Sequence, residues 1–158
     1  QVLILSSDKD FKQLQLAPFS SNNVRQWSPM QKKYVTASKQ EILDFTIEHI
    51  AKGDTGDGIP NILSADDVFV KGERQKPVSA KRLAEFIEKG RDACRTDEEK
   101  RNWDRNVRLV AFDNIPKEVK EEITQAYLNT KPTNDKMAIM NYLIQNKCRL
   151  LLDEIEEF

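Results

Sequence analysis

Two pairs of aspartates carry spacings that could do chemistry. Asp8 and Asp10 stand two apart in SSDKDF, directly after the apolar run VLIL at 2–5, and Asp54 and Asp57 stand three apart in GDTGDGIPN at 53–61. In an extended chain residues i and i+2 share a face, so Asp8 and Asp10 can aim into one site just past a strand's carboxyl end. That is the edge where open α/β sheets bind ligands. A tight turn can bring Asp54 and Asp57 together as well. Four gathered carboxylates repel one another unless a cation neutralises them, and an all-oxygen donor set suits Mg²⁺ or Mn²⁺. Two such ions roughly 4 Å apart activate a water and stabilise the leaving oxygen in phosphodiester hydrolysis. Each pair alone also fits an ordinary turn; their joint occurrence is what points to metal. A calcium loop fits poorly. Counted from Asp54, the third and fifth positions are Gly56 and Gly58, and the twelfth is Ala65 where a bidentate Glu belongs.

The surrounding pattern says what must position these residues. VLIL is apolar at every position, which predicts a strand buried on both faces of a parallel sheet. A parallel partner needs a crossover of a dozen or more residues, so further sheet is expected upstream of this strand. The runs 24–27 and 32–36 around SPMQ predict a hairpin beside it. Ser38 with Glu41 forms a capping box, and Ile42, Leu43, Ile47 and Ile50 keep helical spacing up to Gly53, so a helix delivers the second acidic segment. The segment 64–77 reads as loop. Ser79 then caps a helix burying Leu83, Phe86 and Ile87; Thr96 with Glu99 caps another carrying Trp103, Val107 and Val110. Pro116 opens a third helix with Val119, Ile123, Ala126 and Tyr127 inward, followed by amphipathic segments at 137–144 and 149–155. The expected fold is an α/β remnant, one short parallel strand plus a hairpin, followed by a mostly α-helical domain. It is mainly α overall, divided as 1–52 and 53–158.

Composition narrows the classes. With 39% hydrophobic and 32% charged residues among 158, the chain is a globular domain with a heavily charged surface rather than a disordered one. Its apolar runs are too short for a membrane span or a secretory segment, so a cytoplasmic address and no membrane partner are expected. Cys94 and Cys148 are isolated and His49 is the one imidazole, which argues against zinc. Net charge is −1, but residues 69–108 hold 12 Lys and Arg against 8 Asp and Glu. A basic middle suits a polyanion, although solvated helix faces give the same count.

The motifs ILSSDKDF at 4–11, RQWSPMQKKYV at 25–35, KGDTGDGIPN at 52–61, VKGERQKP at 70–77 and EIEEF at 154–158 resemble those of the structure-specific 5′ nucleases, the flap endonuclease family, in its phage-type branch. The resemblance spans essentially the whole chain. It implies a parallel sheet carrying the metal site, joined to a helical domain whose helix-three-turn-helix element grips duplex DNA. Asp8 and Asp10 match the carboxylates ending a central strand, and Asp54 and Asp57 match those of the later GDxxD loop. Implied with them are two Mg²⁺ ions in the complete enzyme, and cleavage of DNA or RNA strands in duplexes from the 5′ end and at flaps. Removal of RNA primers during phage DNA replication follows. Also implied are substrates of duplex DNA, RNA–DNA hybrid or flap DNA, a single-stranded-DNA-binding protein as partner, and an upstream half supplying further carboxylates. The family's GxGxKTA turn is replaced here by VSAKRLAEF at 78–86, so the monovalent cation such turns hold is not carried over. The helix start at Ser79 still offers unpaired N–H groups, with Lys81 and Arg82 placed to meet a phosphate.

Two other functions fit parts of the sequence. One is a non-catalytic module that docks DNA or a replication protein. The other is a dehalogenase-type phosphatase, whose strand leads to DxD and whose later loop contains GDG, here 56–58; against it, Phe11 stands where that motif expects Gly-Thr.

Overall fold

Strand pairing at the start of the chain follows from VLIL and the hairpin. In the computed structural model, which describes residues 1–16, 23–131 and 135–157, β1 (Val2–Leu5) runs parallel to β2 (Val24–Ser28), and β2 is antiparallel to β3 (Lys33–Val35), giving the order β1-β2-β3. Val2 lies opposite Val24 and Leu5 opposite Trp27. Trp27 in turn faces Tyr34 across the hairpin, edge to face at 5.0 Å between ring centroids, and the Arg25 guanidinium covers the Tyr34 ring. These aromatics are therefore packed as a cross-strand pair. The expected burial of β1 on both faces is not met: Val2, Leu3 and Leu5 are exposed. Among the described residues β1 has β2 as its single strand partner, which leaves its apolar side chains without cover.

The chain divides into two compact units, Gln1–Pro116 and Lys117–Phe158. In the first, α1 (Lys39–Lys52) begins with the capping box: Glu41 N–H donates to Ser38 Oγ and Ser38 N–H donates to Glu41 Oε2. It stops at Gly53, whose φ of +67° is the left-handed conformation that glycine adopts without strain. Turns occupy 53–79. Ser79 then caps α2 (Ala80–Lys89) and Thr96 caps α3 (Asp97–Val110), as their spacing predicts. The apolar faces of all three helices meet in one core of Ile50, Ala51, Ile62, Phe86, Cys94, Trp103 and Val110, so residues on both sides of Gly53 share it. Phe86 is fully buried, 5.5 Å from Trp103 between ring centroids, and burial of such a side chain contributes about 1.5–3 kcal/mol.

The second unit contains α4 (Lys117–Asn129), α5 (Lys136–Gln145) and α6 (Arg149–Leu152). Asp135 caps α5 by accepting the Ala138 N–H. The inward face expected for α4 is not buried: Val119, Ile123 and Tyr127 are all exposed. A segment this short has too little surface of its own to cover every apolar stripe. The fold is mainly α with a small sheet at its start. Among the described residues no helix is long and apolar enough to cross a membrane.

Candidate functional site

Asp8 and Asp10 leave β1 on a segment held from the hairpin. Gln26 Nε2 donates to the carbonyls of Ser6 (2.9 Å) and Asp8 (2.7 Å), and the Ser7 and Ser28 hydroxyls pair at 2.9 Å. Asp8 Oδ1 accepts the Asp10 N–H at 2.9 Å, an Asx-type turn that tips the chain into a 3-10 turn, Asp10–Gln15. Gln13 fixes the far end of that turn to the end of α3, donating to Val110 O and accepting from Phe112 N–H.

Asp54 and Asp57 sit on a loop folded on itself and braced from behind. A pair of backbone bonds joins Asp54 and Ile59, while Asp54 Oδ1 accepts the N–H groups of Gly56 (2.7 Å) and Asp57 (3.2 Å). Gly53 admits no side chain, since a Cβ there would lie 2.3 Å from Ile59 O. The brace is α3. Its buried Asn106 donates to Ile50 O and Pro60 O, Asn102 donates to Ile62 O and Ser64 O, and Arg105 reaches Pro60 O.

The residue that joins these segments is one the sequence did not single out for this purpose. His49, on the last turn of α1, lies with Nε2 3.0 Å from Asp54 Oδ2 and Nδ1 3.3 Å from Asp10 Oδ1. The first contact is a hydrogen bond. The second is within ion-pairing reach but lacks hydrogen-bond geometry, so Asp10 Oδ1 is buried without a hydrogen-bond donor. Burial pushes the Asp10 carboxyl above its usual range; His49 works against that, and the charges of Asp8, Asp54 and Asp57 add to it. Asp54 moves the other way. Burial tends to raise it, but the N–H groups of Asp57 and Gly56, together with His49, hold it below its usual value.

The two acidic segments thus meet on either side of His49. The charges of Asp8, Asp54 and Asp57 all reach Asp10, whose Oδ1 is buried and without a donor, and oxygen groups of this kind are the type that hard divalent cations take. Among the described residues, however, no three His, Cys, Asp or Glu side chains come together closely enough to hold a metal ion. Asp8 and Asp57 extend into solvent and His49 spans the middle.

Of the expected phosphate contacts, Ser79 is used as the cap of α2, its Oγ accepting the Arg82 N–H, and Lys81 is exposed with no ion-pair partner among the described residues. Arg82 is placed elsewhere. Its guanidinium is buried over the Phe86 ring and donates to Glu85, Glu99 and Ala93 O, which leaves it turned away from solvent. A cavity of about 340 Å³ opens on the hairpin side of Asp8; Lys9, Lys12 and Lys33 line it, and among the described residues none of them is ion-paired. The arginines on and just ahead of α3 contrast with these, since Arg91 is matched by Asp104, and Arg101 and Arg105 by Asp66.

Two acidic segments beside a small mixed sheet, ahead of a helical region, agree with the comparison by sequence, which places the chain in a nuclease family: the family described as T4 RNase H, C terminal, matches residues 40–158. Over its full length the chain is 31% identical to the Ribonuclease H of Enterobacteria phage T4, aligned over 164 residues. It spans about half of that relative, 52% of its length. The family assignment removes the ground for the phosphatase reading.

Proposed function

We propose that this chain is the carboxyl-terminal portion of a Mg²⁺-dependent 5′ nuclease of the ribonuclease H and flap endonuclease type. The observation that carries the proposal is the meeting of the two acidic segments at His49, with Asp10 half-buried, its Oδ1 without a donor and the charges of three other carboxylates acting on it. Asp8, Asp10, Asp54 and Asp57 would hold Mg²⁺, or Mn²⁺ in its place. Such ions, when bound, supply a nucleophilic water at neutral pH and neutralise charge on the phosphodiester. The chain's own residues set the stage for that. Asp8 and Asp10 come from a strand end fixed by the hairpin, Asp54 and Asp57 from a loop fixed by α3. Further carboxylates outside these residues, from an upstream half of the same enzyme, complete the site. The lysines beside Asp8, Lys9 and Lys33 with Lys12 over the Phe45 ring, together with Lys81 and the Ser79 helix start, suit the phosphates of duplex DNA, RNA–DNA hybrid or flap DNA. Primer removal in phage replication, in the host cytoplasm, is the setting this chemistry fits.

The test is Mg²⁺-dependent cleavage of a labelled 5′-flap duplex and an RNA–DNA hybrid by this chain, alone and with the complementary portion added. Weak cleavage alone, strong cleavage on addition and loss of both in Asp10→Asn support the reading. Cleavage that survives Asp10→Asn with Asp57→Asn rejects it. A second reading draws on the exposed Ile123, Tyr127, Tyr142 and Leu150 of the second unit, which suit docking to a replication protein such as a single-stranded-DNA-binding protein. Docking of that kind survives Asp8→Asn and Asp10→Asn, whereas cleavage does not.

A further inference from the structure

Gln26 is 1% exposed and sits on β2, the central strand of the sheet, where an apolar side chain would be expected. Its carboxamide is used on one side only. Nε2 makes two hydrogen bonds, to Ser6 O and Asp8 O, while Oε1, equally buried, has no donor. A buried acceptor left without a partner destabilises the fold, and an apolar residue of the same length would avoid that cost. What the amide provides is a pair of donors aimed at the carbonyls on either side of Ser7. These belong to the backbone that carries Asp8, and Asp8 Oδ1 passes the constraint on by accepting the Asp10 N–H. The Ser7–Ser28 hydroxyl pair, also from β2, holds the residue between.

We infer that Gln26 is a positioning residue, whose two amide donors set the direction in which the Asp8 and Asp10 carboxylates leave the strand. The inference rests on the proposed reading that these carboxylates hold a divalent cation. It explains why a polar group with an unsatisfied atom occupies the middle of the sheet: stability is given up locally to place a charged segment. It also separates Gln26 from the amides of α3, which act on the Asp54 loop.

The test is Gln26→Met, which keeps the length and removes both the donors and the orphaned acceptor, in the full chain. Three quantities are read: thermal stability, Mn²⁺ affinity by titration calorimetry, and hydrogen exchange at the amides of Asp10, Gly56 and Asp57. The expected result is a folded protein whose Mn²⁺ affinity is about 10–100-fold weaker, the range seen when groups orienting metal ligands are removed. Exchange speeds up at Asp10 and is unchanged at Gly56 and Asp57. A merely structural glutamine would alter stability alone. Parental Mn²⁺ affinity with an unchanged Asp10 amide in Gln26→Met overturns the inference. If the parent chain itself binds no Mn²⁺, the metal reading fails instead, and exchange at Asp10 alone decides the role of Gln26, with parental protection in the variant counting against it. Should Gln26→Met not fold, Gln26→Asn, which retracts the donors by one methylene, is judged on the same readouts.

Discussion

The strand end bearing Asp8 and Asp10 and the loop bearing Asp54 and Asp57 carry the same residue type, yet the carboxyls of Asp10 and Asp54 are shifted in opposite directions. Asp54 already has its charge answered, by two backbone N–H groups and an imidazole, and its carboxyl is held low. Asp10 is partly desolvated, acted on by like charge and short of a donor at Oδ1, and its carboxyl is held high. The loop stabilises its carboxylate Asp54; the strand end holds Asp10 in place against desolvation and like charge. Bracing differs accordingly, with Asn102, Arg105 and Asn106 behind the loop and Gln26 behind the strand end.

Attacking the loop's brace should give the largest effect. Asn106→Ala strips the donors from Ile50 O and Pro60 O in a fully buried setting and should cost about 3 kcal/mol in urea unfolding. A loss below about 1 kcal/mol would mean that the loop does not depend on α3. Gly53→Ala comes next, at about 2–3 kcal/mol, because the methyl meets Ile59 and Pro60 backbone and the residue must hold a positive φ. Asp54→Ala should cost about 1–2 kcal/mol at neutral pH. Its folded value lies below the unfolded one, so this stabilisation is present above the ordinary aspartate range and is lost as pH falls through the depressed value; parent and variant should converge in acid. The smallest effect has the opposite sign. For Asp10 the folded value lies above the unfolded one, so ionisation costs stability as pH rises beyond the ordinary aspartate range. Asp10→Asn should therefore raise Tm slightly at pH 7 in metal-free buffer, with the gain disappearing below that range. A lower Tm for Asp10→Asn at pH 7 would erase the contrast between the two segments.

Most of the framework was legible in the sequence. The Ser38–Glu41 box and Gly53 mark both ends of α1, the hairpin sits around SPMQ, and Ser79 and Thr96 start α2 and α3 where their spacing says. Those signals are local, and local chemistry decides them. What stayed hidden depends on contacts between distant residues. Gln13, Gln26, Asn102 and Asn106 carry no motif or spacing that marks them, yet each reaches backbone groups far along the chain. Lys81 and Arg82 look alike in KRLAEF, and Glu99, seventeen positions on, turns Arg82 inward. His49 stood out only as a metal partner that the cysteines lacked. Its place five residues before Asp54, on the last turn of a capped helix, was the signal that could have tied it to the loop.

That placement has a practical consequence. The sequence contains one histidine, and it stands between the two acidic segments. A one-dimensional proton spectrum of the unlabelled chain therefore contains one imidazole ring to watch, and its line position and width follow whatever enters the space between Asp10 and Asp54.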